Sequence, residues 1–170
     1  SVSLVDDLPG VTVDKALQLS AVWACVERIA KTIASLPLFV YDERGGGLRE
    51  LSRGSSLWAL LHDSPNGRMT PFEFWVAMII NLLLRGNAYA RIDRSENGEA
   101  YSLHPMPADQ VEVSVLDDGS VVYQYRIGSD VAILAEQNVL HLKEMGNGIT
   151  GLARLDFMRA TTVEAGYAQT

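Results

Sequence analysis

One cysteine and three histidines are the residues whose chemistry comes nearest to that of a nucleophile and its base. They are Cys25, His62, His104 and His141. A catalytic thiolate needs a base within hydrogen-bond reach. Cys25, however, falls on the apolar stripe of a predicted helix, which favours a small buried hydrophobic residue. The histidines are far apart and none has a paired metal-ligand spacing such as HxxxH.

Two of these histidines lie in predicted strands. His141 falls within an alternating strand, and His104 precedes Pro105 at a strand end. Such positions are typical of structural or surface histidines. A single cysteine excludes both an internal disulfide and a cysteine zinc site, and it favours a reducing compartment.

The remaining chemical candidates also read as structural residues. Asp6-Asp7 and Asp117-Asp118 are adjacent carboxylates of the kind found in turns. Gly45-Gly46-Gly47 lacks the lysine and the hydroxyl of a phosphate loop. Three tryptophans stand among aliphatic residues of predicted helices, which predicts a core or an interface: Trp23, Trp58 and Trp75. We therefore predict no catalytic residue, no cofactor and no metal site.

The length and composition indicate one acidic globular domain or a large fragment of a bigger protein. The chain has 170 residues, of which 48% are hydrophobic and 21% charged, and its formal charge is 14 − 21 = −7. This balance excludes disorder and argues against a protein that coats nucleic acid through phosphate contacts. The most apolar run, Trp75 to Leu84, is too short to span a bilayer, and no signal peptide is expected.

The first half of the sequence is predicted to be mainly helical. An apolar stripe starts after Asp14 and ends before Pro37, with Ser20 as a possible break between a short and a long helix. Its members are Leu17, Ala21, Val22, Cys25, Ile29, Ile33 and Leu36. Leu38–Tyr41 and Leu48–Leu51 are predicted to form a hairpin.

Two more helices follow this hairpin. Ser55 or Ser56 caps a short one. Thr70-Pro71-Phe72-Glu73 forms a capping box with proline at the first helical position, and Gly86 stops this helix. The second helix is apolar on nearly every side, so we expect it to be buried between layers or against another chain.

After Gly86 the hydrophobic period changes to two, which predicts antiparallel strands joined by tight turns. The predicted strands are 88–93, 99–103, 111–115, 121–126, 131–134 and 139–142. A last helix starts near Leu152. The prediction is an α+β fold, with N-terminal helices packed on an antiparallel strand meander and a C-terminal helix after it.

We divide the chain into an arm (1–13), an α+β domain (14–151) and a helix (152–170). The arm contains Pro9-Gly10 and is of a kind that a partner can order. The last helix meets no stop signal before Thr170, so we expect a longer protein to continue beyond it.

Several blocks, in order, resemble the start of portal proteins of tailed bacteriophages of the HK97-like class. They are Leu19–Val26, Ile29-Ala30, Ala34–Leu38, Leu60-Leu61, Pro65-Asn66, Met69-Thr70, Phe72–Phe74, Leu82–Leu84, Gly86–Ala90, Leu103 with Pro105, Val139–Leu142, Gly148 and Thr150-Gly151. The resemblance covers roughly Ala16 to Leu155. Ala153-Arg154 depart from it, since the family usually has Ser-Pro shortly after this glycine, and family members are much longer.

The resemblance implies a structural role without catalysis. Portal proteins form a dodecameric ring at one vertex of the phage head, next to the major capsid protein. The terminase large subunit docks there, duplex DNA passes through the channel without sequence specificity, and head-tail adaptors attach later. This chain would form the wing-type part, with residues from Leu152 leading towards the stem. The ring would assemble in the bacterial cytoplasm and end in the virion, with no membrane or cofactor involved.

Two alternatives to a portal protein, and two explanations of the acidic charge, stay open at this point. One is an unrelated hydrolase that uses Cys25 or His141. Another is a structural module that binds peptide or glycan at an edge strand. Within the portal reading, the acidic balance either lets DNA slide past or simply provides solubility.

Overall fold

The computed structural model describes residues 13–44 and 47–152. Three helices and eight strands are present in this part of the chain. They are α1 (Val13–Ala34), β1 (Tyr41–Arg44), β2 (Leu48–Leu51), α2 (Ser56–His62), α3 (Pro71–Arg85), β3 (Asn87–Arg94), β4 (Ala100–Met106), β5 (Val111–Val115), β6 (Val121–Ile127), β7 (Asp130–Ala135) and β8 (Val139–Lys143). The α+β prediction is confirmed, and all strand pairs are antiparallel.

Helix α1 is continuous through Ser20, so the predicted break there is wrong. The predicted burial of Cys25 on the apolar stripe is also wrong. Val26 and Ala30 are buried, whereas Cys25 and Ile29, each one residue earlier, are exposed. Helix α1 packs along α3. The small side chain of Ala30 allows two helices to approach closely. The row that contains Val26 and Ala30, and not the row that contains Ile29, faces α3.

The predicted strand over Leu38–Tyr41 begins only at Tyr41. Tyr41 pairs with Leu51, the last residue of β2, and the amide of Ser52 then donates to the carbonyl of Val40 at 2.8 Å. Beyond Ser52 the chain turns away towards α2. Leu38 and its neighbours therefore have no partner strand, and they run as extended chain between α1 and the hairpin.

The predicted caps of α2 and α3 are confirmed. Ser55 caps α2, and its Oγ accepts from the amide of Trp58. Thr70 caps α3 with a complete capping box, in which Glu73 Oε2 accepts from the Thr70 amide at 2.8 Å. Helix α3 ends at Gly86, whose φ of 72° is the left-handed geometry that glycine adopts without a Cβ penalty.

A three-stranded sheet in the order β4-β3-β8 covers α3. Alternate residues of a strand lie on opposite faces. Ala88, Ala90 and Leu103 are on the face that packs against Phe74 and Met78 of α3. The prediction that α3 lies between layers is therefore confirmed, since it separates this sheet from α1.

A second three-stranded sheet, β5-β6-β7, packs against the other face of the first. Tyr89 and Met106 of the first sheet meet Tyr123 of the second in a separate apolar cluster. The strands thus do not form one meander. The chain leaves the first sheet after β4, builds the second, and returns with β8 beside β3, where Tyr89 pairs with His141.

The loop at Pro65-Asn66 covers the outer edge of β4. The amide of Leu103 donates to the Pro65 carbonyl at 2.7 Å, and Asn66 Nδ2 donates to the Leu103 carbonyl at 2.7 Å. This blocks one edge of the first sheet against pairing with another chain.

Most of the predicted arm and the predicted last helix lie outside the described residues. Among the residues that are described, no helix is both long enough and apolar enough to cross a bilayer.

Candidate functional site

The four residues considered as nucleophile and bases lie on four different elements. Cys25 is on α1, His62 on α2, His104 on β4 and His141 on β8. Cys25 is exposed, which corrects the prediction of a buried residue. Within residues 13–44 and 47–152, no group of three or more His, Cys, Asp or Glu side chains could hold a metal ion.

Two of the histidines have local structural partners. The ring of His62 stacks on Trp58, with 3.7 Å between ring centroids and 3° between their planes. His104 Nε2 lies 2.9 Å from Ser102 Oγ and 3.1 Å from Asp93 Oδ2. Asp93 in turn accepts from Arg91 Nε at 2.8 Å. These contacts belong to one helix end and one sheet face. Ser102 supplies a hydroxyl, but it and Asp93 both contact Nε2 of His104, whereas a catalytic triad places the nucleophile and the orienting carboxylate on different imidazole nitrogens.

His141 is the centre of a network between the two sheets. Its Nε2 donates to Asn87 Oδ1 at 3.0 Å, and its Nδ1 accepts from the hydroxyl of Tyr123 at 3.1 Å. Asn87 Nδ2 donates to the Gly151 carbonyl, so its Oδ1 faces His141. Because an amide oxygen can only accept, the proton of His141 is on Nε2. The two sheets are therefore joined by polar contacts beside the apolar cluster.

The surroundings of this network keep its groups neutral. Burial, with a smaller effect from Lys143, lowers the pKa of His141 to about 4. Burial and the neighbouring Tyr123 raise the pKa of Tyr89 to about 12. Burial also raises the pKa of Tyr123. A neutral imidazole with both nitrogens engaged is suited to holding two sheets together, and it offers no free base near neutral pH.

A row of exposed apolar side chains runs along one side of α1. Cys25, Ile29, Ile33 and Leu36 follow one another along one side of α1 and just beyond it; we call this row the α1 surface. The three aliphatic residues expose 45%, 42% and 63% of their area, respectively. Single exposed apolar residues are ordinary, but a contiguous row is typical of a contact with another molecule.

The α1 surface continues into an apolar groove. Its first hollow, of about 320 Å³, lies between the end of α1 and α3, and Ile33, Leu36, Leu38, Trp75 and Ile79 are among its lining residues. We call this hollow and its neighbour the α1–α3 groove.

The second hollow has a volume of about 310 Å³ and extends the groove towards α2. It is lined by Ala34, Leu36, Pro37, Leu38, Phe39, Arg53, Trp58, Leu61, His62, Pro71, Phe72 and Trp75. Arg53 lies 5.9 Å from the centre of the Trp58 ring. Arginine is the one permanently charged residue in this lining, and no carboxylate is present.

The sequence predicted burial for Cys25 of the α1 surface and gave no prediction of the groove. The available signal was the unbroken run Leu36-Pro37-Leu38-Phe39, which is apolar but carries neither a helical nor an alternating period. The tryptophans were predicted to lie in the core or at an interface, and two of them are at the surface or in the groove. Trp23 is half exposed and Trp75 lines the groove.

Comparison with known sequences gives a consistent match. The family described as "Phage portal protein" matches residues 20–170. The portal protein of Enterobacteria phage HK97 is 36% identical over 156 residues, which cover 91% of this chain and 36% of that one. This chain therefore spans about a third of the length of that relative.

Known structures share the fold. One chain from the neck of an empty GTA particle, computed with C6 symmetry, gives a TM-score of 0.66 at 23% identity, over 85% of this chain and 41% of that one. A chain from the neck of the native GTA particle, computed with C12 symmetry, gives 0.64 at 22% identity, over 81% and 36%. At these identities the likeness establishes the fold alone.

Proposed function

The chain belongs to the phage portal protein family, and on that premise we propose that it is the wing-type part of a subunit of a portal ring at the head-tail junction. The α1 surface is the observation in the structure that supports this proposal. A row of exposed apolar side chains beside an apolar groove is the surface expected of a subunit that packs against copies of itself.

Cyclic assembly sets a requirement that the α1 surface can meet. In a ring each subunit makes head-to-tail contacts, so one surface of a copy meets a different surface of the next. One related neck structure was computed with C12 symmetry. We propose the same number here, a dodecamer of the full-length protein, with the α1 surface at the boundary between neighbours.

The remaining assignments follow from the family and are proposals of the same kind. The ring would stand at a vertex of the capsid beside the major capsid protein, receive the terminase large subunit during packaging, and later bind a head-tail adaptor. Double-stranded DNA would pass through it without sequence-specific contacts. The protein would assemble in the host cytoplasm and remain in the virion.

The formal charge of −7 suits a conduit better than a DNA clamp. Each lysine or arginine contact to phosphate adds affinity and so resists movement along the duplex. An acidic subunit offers few such contacts. Solubility alone explains the same charge, and a map of the charges on an assembled ring separates the two explanations.

We propose that residues 14–151 form one wing-type domain and that residues 152–170 lead towards the stem. A catalytic role has little support. Cys25 and His141 are on separate elements, and both nitrogens of His141 are engaged. We therefore assign no reaction to this chain.

The test is the state of assembly of the full-length polypeptide that carries this chain. Light scattering should give a mass near that of twelve copies, the order of the C12 neck, and negative-stain images should show annular end-on views with a central channel. Ile29→Glu should prevent closure, whereas Leu116→Glu, which changes an equally exposed residue in the β5–β6 turn, should not. A monomer or dimer at micromolar concentration would contradict the proposal.

A further inference from the structure

The α1–α3 groove has a chemistry that calls for a particular kind of occupant. Its lining is aliphatic and aromatic, with Arg53 near one end and no carboxylate. A peptide that fits it would present apolar side chains to Trp75 and Leu38 and at least one carboxylate to Arg53. An arginine beside an apolar surface pairs well with a carboxylate, because its guanidinium presents a planar fork of donors.

A segment of this chain outside the described residues has that composition. Residues 4–9 read Leu-Val-Asp-Asp-Leu-Pro, with two acids between apolar residues on both sides. Neither lysine nor arginine occurs in residues 1–12. The segment is complementary to the groove in charge and in polarity.

The length of α1 shows whether residues 4–9 can enter the groove of their own chain or only that of another copy. A helix rises about 1.5 Å per residue, so Val13 and Ile33 stand roughly 30 Å apart. Leu8 is five residues before Val13, and an extended chain of that length reaches at most about 18 Å. Leu8 therefore cannot reach the part of the groove beside Ile33 in its own chain. Asp6 reaches at most about 25 Å, and Leu4 alone, at about 32 Å, could touch it, so the whole segment can be seated there only from a second copy.

We propose that residues 4–9 of one subunit occupy the α1–α3 groove of a second copy of this chain. The inference rests on the proposed function, since it requires copies side by side, and it names the partner of the groove beside the α1 surface. Asp6 or Asp7 pairs with Arg53 of the receiving subunit, while Leu4 and Leu8 fill the two hollows. The segment thus links each subunit to its neighbour.

Disulfide capture between two full-length chains tests this arrangement. Both chains carry Cys25→Ser. One adds Leu8→Cys and the other adds Leu38→Cys, a partly exposed groove residue. After co-assembly and mild oxidation, covalent heterodimers should form at least about ten times faster than for Leu8→Cys mixed with Leu116→Cys, because seating raises the local thiol concentration. Arg53→Glu in the receiving chain should reduce the yield, and Asp6→Arg with Asp7→Arg in the donor should restore it.

Several outcomes would overturn the inference. If multimers form normally but the Leu38 pair reacts no faster than the Leu116 pair, another partner fills the groove and the proposed function stands. If one chain with both Leu8→Cys and Leu38→Cys closes an internal disulfide at high dilution, the segment binds its own groove. If no multimer forms at all, the inference and the proposed function fail together.

Discussion

The side chain of Asn87 holds both backbone groups of Gly151, a residue 64 positions later in the chain. Asn87 Oδ1 accepts from the Gly151 amide at 2.7 Å, and Asn87 Nδ2 donates to the Gly151 carbonyl at 2.9 Å. Gly151 lies next to the last residue that the structure describes. The start of β3 therefore fixes the end of the part of the chain that the structure describes.

Removing the side-chain amide of Asn87 should loosen the backbone at Gly151. Asn87→Ala loses two hydrogen bonds to Gly151 and one to His141, and should lower the free energy of unfolding by about 2–4 kcal/mol. Hydrogen exchange at the Gly151 amide should accelerate more than exchange in β6. Asn87→Asp keeps the acceptor for that amide and should restore part of its protection. Unchanged exchange in the alanine variant would show that the two hydrogen bonds between Asn87 and Gly151 do not form in solution.

Gly151 is also constrained by space. A Cβ at this position would overlap the carbonyl oxygen of Gly86 and lie 2.7 Å from the amide nitrogen of Glu144. Both neighbours are backbone atoms, so Gly151→Ala should destabilise the fold by about 2–4 kcal/mol in urea unfolding. Gly67→Ala is the matched control, since nothing lies within 4 Å of its Cβ position. Equal midpoints for the two variants would contradict the close approach.

His141 should make stability depend on pH. Burial lowers the pKa of this histidine from 6.5 to about 4 in the folded chain. The unfolded chain therefore binds the proton first, and the stabilising contribution is complete above pH 6.5 and declines as pH falls towards 4. Between pH 7 and 5, wild-type stability should fall more steeply than that of His141→Gln. Parallel curves for the two proteins would mean that His141 titrates normally in the folded state.

Helix α3 is predicted to tolerate changes on one side only. Met78 is 1% exposed between α1 and the first sheet, whereas Phe72 is 43% exposed at the start of the same helix. Met78→Ala should cost about 2–5 kcal/mol, the range for deletion of a buried side chain. Phe72→Ala should cost less than about 1 kcal/mol. Similar losses at both positions, measured by chemical denaturation, would contradict the assigned orientation of α3.

Local signals predicted much of the fold. The capping box at Thr70, the stop at Gly86 and the tight turns between the strands each depend on a few neighbouring residues. All are present, and Gly98 and Gly119 have the positive φ of such turns. The interactions that form these features lie within one turn of helix or one hairpin. The number and spacing of the strands after Gly86 followed from the same kind of signal.

Features that depend on distant parts of the chain were not predicted. The return of β8 to β3 and the Asn87–His141–Tyr123 network join residues 18 to 54 positions apart. The apolar stripe of α1 was found, but a stripe alone does not show which of its rows meets α3. The exposed row and the groove therefore became visible only in the folded chain, and the same long-range contacts explain why the site was missed.

The reactivity of Cys25 tests the central claim, that the α1 surface is a subunit boundary, most directly. It is the single cysteine of this chain, and it is exposed in the row with Ile29. A maleimide should label it readily in isolated subunits, and at least about tenfold more slowly in assembled rings because a neighbour covers it. In a full-length protein with no other free thiol, equal labelling rates in subunits and rings would place the α1 surface outside the subunit contact.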